Sequence, residues 1–162
     1  MRLIVYIVIA LMAYFLQGQV FPFLFTRGWI PNIFLTSVVI ITIIHGRKNG
    51  IIAAIFAGLF HDIAIGNFLG IHFFPYIMVA ILLTIPTYRI YQEQWYLSMA
   101  AVVIGTLIDA VVRMSMLYLA REDVTFTYFI MYGWPTLWIN AMLAFVVHHF
   151  VWRMEAKDEY IW

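Results

Sequence analysis

IPNIFLTSVVIITIIHGRKNGIIAAIFAGLFHDIAI, from Ile30 to Ile65, holds two apolar runs separated by Gly46-Arg47-Lys48-Asn49-Gly50. Two basic residues and two glycines in five positions have the composition of a tight polar turn. A helix needs about 20 apolar residues to cross a hydrocarbon core of roughly 30 Å. Each run is short for that, near the lower limit. The pair reads as an antiparallel hairpin of membrane helices.

The same reading extends over the rest of the chain. Apolar runs at 3–20, 30–45, 50–65, 71–90, 97–120 and 127–151 predict an all-α bundle of six transmembrane helices, with a short tail over 153–162. Five spans is the rival count, if one of the short runs fails to cross. Hydrophobic residues make up 65% of the 162 and charged residues 10%, too few to coat a soluble domain of this size. With six spans, Arg2, Arg47, Lys48, Arg89, Arg153 and Lys157 fall on one side. Arg27 and Arg121 fall on the other, so both chain ends are expected in the cytoplasm of a multi-pass protein. The first run follows Arg2 like a signal peptide, but it continues to Gln17-Gly18-Gln19 without a small-residue cleavage site and reads as a retained helix. There is no cysteine, which excludes disulfides and thiolate metal sites. A net charge of +1 gives no reason to expect nucleic acid as a partner.

Aromatic residues reach 19%, and many sit near span ends, as an interfacial belt requires. Phe21, Phe23, Phe25 and Trp29 fall between the first two spans, and Tyr132 and Trp134 open the last. These outer segments are apolar yet outside the long runs, so they are also candidates for a partner-docking surface.

Ionisable groups inside a span cost on the order of 2.5–3.5 kcal/mol each on insertion scales and need partners. Three stand out: Asp62, Asp109 and Arg113. Asp109 and Arg113 are four apart, acid first, the favourable order on a helix. Both acids lie about 12 residues into spans that run in the same direction, roughly 18 Å deep at 1.5 Å per residue. The expectation is one cluster in which Arg113 bridges the two carboxylates. His61, turned about 100° from Asp62 on a helix, need not join it. The cluster is either a structural staple between helices or a relay or polar ligand site. Asn140 is the further polar group at mid-span, and the histidines do not form a line.

Residues 53–62 and 100–109 both read A-A-x-x-x-G-x-x-x-D, which suggests a duplicated hairpin. Chance in a biased composition is the rival. Within the pattern, Gly58 and Gly105 are candidate close-packing positions. No HExxH, GxSxG, phosphate-binding loop or paired-cysteine motif occurs, so neither an enzyme nor a cofactor is expected.

Pro31-Asn32 opening the second span, then Gly58, Asp62, Gly66 and Gly70 at four-residue spacing, with Leu69-Gly70-Ile71-His72 after them, resembles the MreD family. Many of its members carry Pro-Asp where this chain has Pro31-Asn32. The resemblance implies a rod shape-determining protein of the bacterial cytoplasmic membrane. It implies a non-enzymatic scaffold of the cell-elongation (Rod) complex that helps organise peptidoglycan synthesis. Its implied partners are MreC, through its transmembrane and juxtamembrane part, and through the complex RodA, a class B penicillin-binding transpeptidase and MreB. The family is also similar in fold to the S-components of ECF transporters. That likeness supplies the alternative reading, a substrate-binding membrane subunit of a small-solute or vitamin transporter.

Overall fold

The computed structural model describes residues 2–25, 29–65, 69–83, 94–122, 127, 131 and 133–159. Among them the chain is helical, with no strand. Helix α1 (Arg2–Phe15) passes into a π-helical turn (Leu16–Val20) and a short α2 (Phe21–Leu24). Then come α3 (Ile33–Ile65), α4 (Phe73–Leu83), α5 (Trp95–Leu119) and α6 (Trp134–Glu159). Three stretches are long and apolar enough to cross a membrane: Ile33–Ala64, Trp95–Leu119 and Trp134–Val151. Val8–Leu24 and Phe73–Leu83 are shorter apolar helices.

The first of the three is two helices joined at a sharp break. Gly46 has φ 81° and ψ 179°, backbone that a side chain strongly disfavours. Its two arms fold back on each other. A Cβ at Gly50 would lie 2.2 Å from Thr42 Oγ1, and further along the rings of Phe34 and His61 are 5.4 Å apart. Thus Gly46 supplies the turn and Gly50 the close approach.

The first arm of α3 is the axis of the molecule. Leu35, Val38, Val39 and Ile40 are fully buried, with Ala54, Tyr76, Val79, Ala80, Val102 and Ala144 around them. The second arm, α4, α5 and α6 supply this surround, and α1 packs on α3 at the side. Burial on all faces explains why the axial arm has no polar stripe. On the outer helices one face stays apolar and exposed, as with Phe56, Phe60 and Ile63, or Met142 and Val146.

Several boundaries differ from those expected from hydropathy. The last helix is described from Trp134 and runs on through polar residues to Glu159. Hydropathy marks where lipid ends, and a helix can continue into water. The predicted fourth span, 71–90, is helical over Phe73–Leu83, and its remainder from 84 lies outside the described residues.

Two glycines make the packing. A Cβ on Gly58 would be 2.6 Å from the backbone Cα of Phe73, whereas one on Gly105 would meet Val39 Cγ2 at 2.7 Å. Backbone at the start of a helix cannot move aside without dragging the helix, but side chains can shift. Gly58→Ala is therefore expected to cost about 1–3 kcal/mol and Gly105→Ala less. Thermal unfolding of the two variants in detergent should give that order.

Candidate functional site: a polar clasp at one end of the bundle

Asp62 lies near the end of the second arm of α3, where the chain turns to begin α4. Its carboxylate is 3% exposed as part of the residue and accepts from three backbone N–H groups. Gly70 N donates to Oδ2 at 2.7 Å, His72 N to Oδ1 at 2.9 Å and Phe73 N to Oδ2 at 3.3 Å. The first N–H groups of a helix have no partner within it. Here a carboxylate from the preceding helix supplies one, at the end where the helix dipole favours negative charge. Gly70, at φ 105°, turns the backbone so that its N–H faces the carboxylate.

His72 extends the clasp. Its Nδ1 lies 3.0 Å from Asp62 Oδ1, and its Nε2 lies 3.5 Å from Arg113 Nη1. Arg113 Nη2 donates to Asp109 Oδ2 at 2.6 Å. The expected bridge is thus corrected. Arg113 pairs with Asp109 directly, and His72 stands between it and Asp62. The ring of His61 stacks on that of His72, with centroids 3.9 Å apart, and its Nδ1 contacts the Tyr76 hydroxyl. So His61 belongs to the cluster, which its helical rotation from Asp62 does not require. At a helix end, the next helix crosses close enough to touch neighbouring faces.

From Tyr76 the network passes to the start of α3. The Tyr76 hydroxyl donates to Asn32 Oδ1 at 2.8 Å, and the same oxygen accepts from Leu35 N at 3.0 Å as an N-cap. Asn32 N donates to Asn140 Oδ1 at 2.7 Å, and Asn140 Nδ2 donates to Thr106 Oγ1 at 3.2 Å. Gln17, buried in the π-helical turn, donates to Pro31 O at 3.0 Å and accepts from Ile33 N at 2.9 Å. Side chains from five segments of the chain therefore converge on two helix starts. This end is opposite the Gly46 turn, one arm of α3 away.

The remaining candidates take these places. Pro31 is buried beside Asn32. Gly58 lies under Phe73, and Gly66 lies outside the described residues. Phe23 (81% exposed), Trp29 and Trp134 (59%) are exposed near the clasp end of their segments. Phe21 and Phe25 are half-buried and meet edge to face at 6.2 Å, and Tyr132 lies outside the described residues. In the repeated pattern, Ala54 and Ala101, Gly58 and Gly105, and Asp62 and Asp109 are all buried. Gln17, Tyr76 and Thr106 carry no role in the expectations from sequence, and His72 stands there only beside the family glycines. Each is polar within or beside an apolar run, and that was the available signal.

The two acids differ in what their loss exposes. Asp62→Ala leaves three backbone N–H groups and a histidine unpaired and is expected to cost about 3 kcal/mol or more. Asp109→Ala frees Arg113, whose side chain is 34% exposed and can turn outward, for about 1–2 kcal/mol. Unfolding in detergent should rank Asp62→Ala as clearly the more damaging.

The family model described as rod shape-determining protein MreD matches residues 1–154 of the chain. No curated protein and no solved structure matches it. With a match over nearly its whole length, this chain belongs to the MreD family of rod shape-determining membrane proteins.

Proposed function

We propose that this protein acts in rod shape determination as a non-enzymatic membrane scaffold of the elongation machinery. In this reading its bundle holds the transmembrane and juxtamembrane part of MreC and, through the complex, organises peptidoglycan synthesis beside RodA, a class B penicillin-binding transpeptidase and MreB. The observation that carries it is the coupling of the clasp to exposed aromatics. Trp29 directly precedes the segment held by Gln17 and Asn140, and Trp134 opens the helix that bears Asn140. A clasp of directional hydrogen bonds keeps those rings in fixed positions on one end of the bundle. Rigid aromatic anchors bind at small entropic cost. In lipid, helix association draws on close packing and polar contacts rather than on the hydrophobic effect, so a preorganised surface matters more.

The arrangement in the membrane follows from six crossings: α1 with its extension to Leu24, the two arms of α3, then α4, α5 and α6. Arg47 and Lys48 at the Gly46 turn then face the cytoplasm, and the clasp lies toward the outer face of the inner membrane. There the part of MreC next to its membrane anchor is within reach.

The protein is expected to co-purify with MreC in detergent. Replacing both Trp29 and Trp134 by Ala should weaken that association while leaving the fold intact. Complete separation of MreC from the unaltered protein, with other complex members still bound, would show that this scaffold role is wrong. Reporter fusions should place both chain ends in the cytoplasm; ends on opposite sides would overturn the six-crossing arrangement.

A further inference from the structure

With both rings neutral, the hydrogen bonds of the clasp assign one tautomer to each histidine. Asp62 Oδ1 accepts, so His72 Nδ1 carries the proton and its Nε2 is the acceptor that faces Arg113. The Tyr76 hydroxyl has one proton and gives it to Asn32 Oδ1. The Tyr76 oxygen must therefore accept from His61 Nδ1, which leaves His61 Nε2 as a bare lone pair. Asn140 donates to the Thr106 hydroxyl, which donates in turn to Val102 O. Among the described residues, two buried polar side-chain atoms have no hydrogen-bond partner, His61 Nε2 and Asp109 Oδ1. Both are acceptors. Their residues are 2% and 1% exposed. Both lead to the same guanidinium: Asp109 binds Arg113 directly, and His61 stacks on His72, the ring that Arg113 touches.

The charge is also unbalanced. With both rings neutral, Asp62, Asp109 and Arg113 leave the described cluster one negative charge in excess. Burying an unmatched charge is costly, and so is each unfilled acceptor. One kind of group answers both: a unit cation that carries N–H donors. A water molecule would fill the acceptors and leave the charge. A divalent metal lacks ligands, since no group of three His, Asp or Glu side chains able to hold one occurs among the described residues.

We propose that the clasp binds a primary ammonium group at Asp109 Oδ1 and His61 Nε2, supplied by a small amine or by the ethanolamine headgroup of a lipid. Arg113, half-exposed at the edge of the cluster, marks the way in. This site rests on the two unfilled acceptors and the charge balance of the clasp and is independent of the scaffold role.

The test uses the full chain in phosphatidylglycerol nanodiscs with ¹⁵N-labelled histidine. Both rings should show the Nδ1–H tautomer. Methylammonium should displace the His61 Nε2 resonance and raise the unfolding temperature. Tetramethylammonium, with the same charge and no N–H, should do neither. Asp109→Asn and His61→Phe should each weaken methylammonium binding by about tenfold or more, the loss of one charge-assisted hydrogen bond. If discs of phosphatidylethanolamine give the displacement without added amine, the headgroup is the source. If methylammonium alone gives it, a soluble amine is. A resonance unmoved by either amine, as an ordered water only would leave it, overturns the proposal. So does an equal response to tetramethylammonium, or unchanged binding in whichever of the two variants folds.

Discussion

The fold hangs on one carboxylate accepting the backbone of the next helix. A helix that begins inside a bundle embedded in lipid has N–H groups that water cannot reach, and each costs several kcal/mol if left unpaired. Asp62 answers three such donors at once, those of Gly70, His72 and Phe73. Two glycines make this geometry available. Gly58 lets the backbone of Phe73 come within a distance that no Cβ would permit, and Gly70 takes the positive φ that presents its N–H. The four-residue spacing of Gly58 and Asp62 puts the gap and the acceptor on one face of the helix, one turn apart. Three residues of the family string thus serve a single contact.

The same solution recurs at the start of the axial arm. Asn32 caps its own helix through Leu35 N, Gln17 takes Ile33 N, and Asn140 takes Asn32 N. In each case a side chain satisfies a helix start, and in two of the three pairs it comes from a distant segment. Apolar packing in lipid is tolerant of rotation, because hydrocarbon surrounds every face equally. Hydrogen bonds of fixed direction are not tolerant. Individually such bonds contribute about 0.6 kcal/mol on average between membrane helices. Collectively they select one rotational register for each helix, which is what the apolar surfaces leave undetermined.

Much of this was legible in the sequence, and the gaps have physical causes. The Gly46–Gly50 turn was plain because two basic residues and two glycines interrupt runs of isoleucine and valine. The pairing of Asp109 with Arg113 followed from helical spacing. The bridge to Asp62 does not form, because the backbone N–H groups of the turn that follows occupy both of its oxygens, and spacing along the spans carries no sign of that. His72 opens the predicted fourth span, 71–90, and its part in the contact depends on the backbone reversal at Gly70. No periodicity encodes that. His61 illustrates the limit of helical-wheel reasoning, which assumes parallel neighbours and fails where another helix starts across the axis.

The repeated A-A-x-x-x-G-x-x-x-D pattern shows how the chain after a motif decides its chemistry. In both copies the second alanine, the glycine and the aspartate are buried, and the glycine lies against a neighbouring element. After Asp62 the helix has ended by Leu69 and the chain returns with free N–H groups, so both carboxylate oxygens are taken. After Asp109 the helix continues to Leu119. No backbone donor can return to it, and the nearest remedy on the same face is a cation one turn later, Arg113. A guanidinium held also by His72 engages one oxygen and leaves the other open. The difference between a fully answered acid and a half-answered one therefore arises from where the helix ends, not from the motif. That asymmetry leaves one unfilled carboxylate oxygen on α5, beside the exposed edge of the clasp.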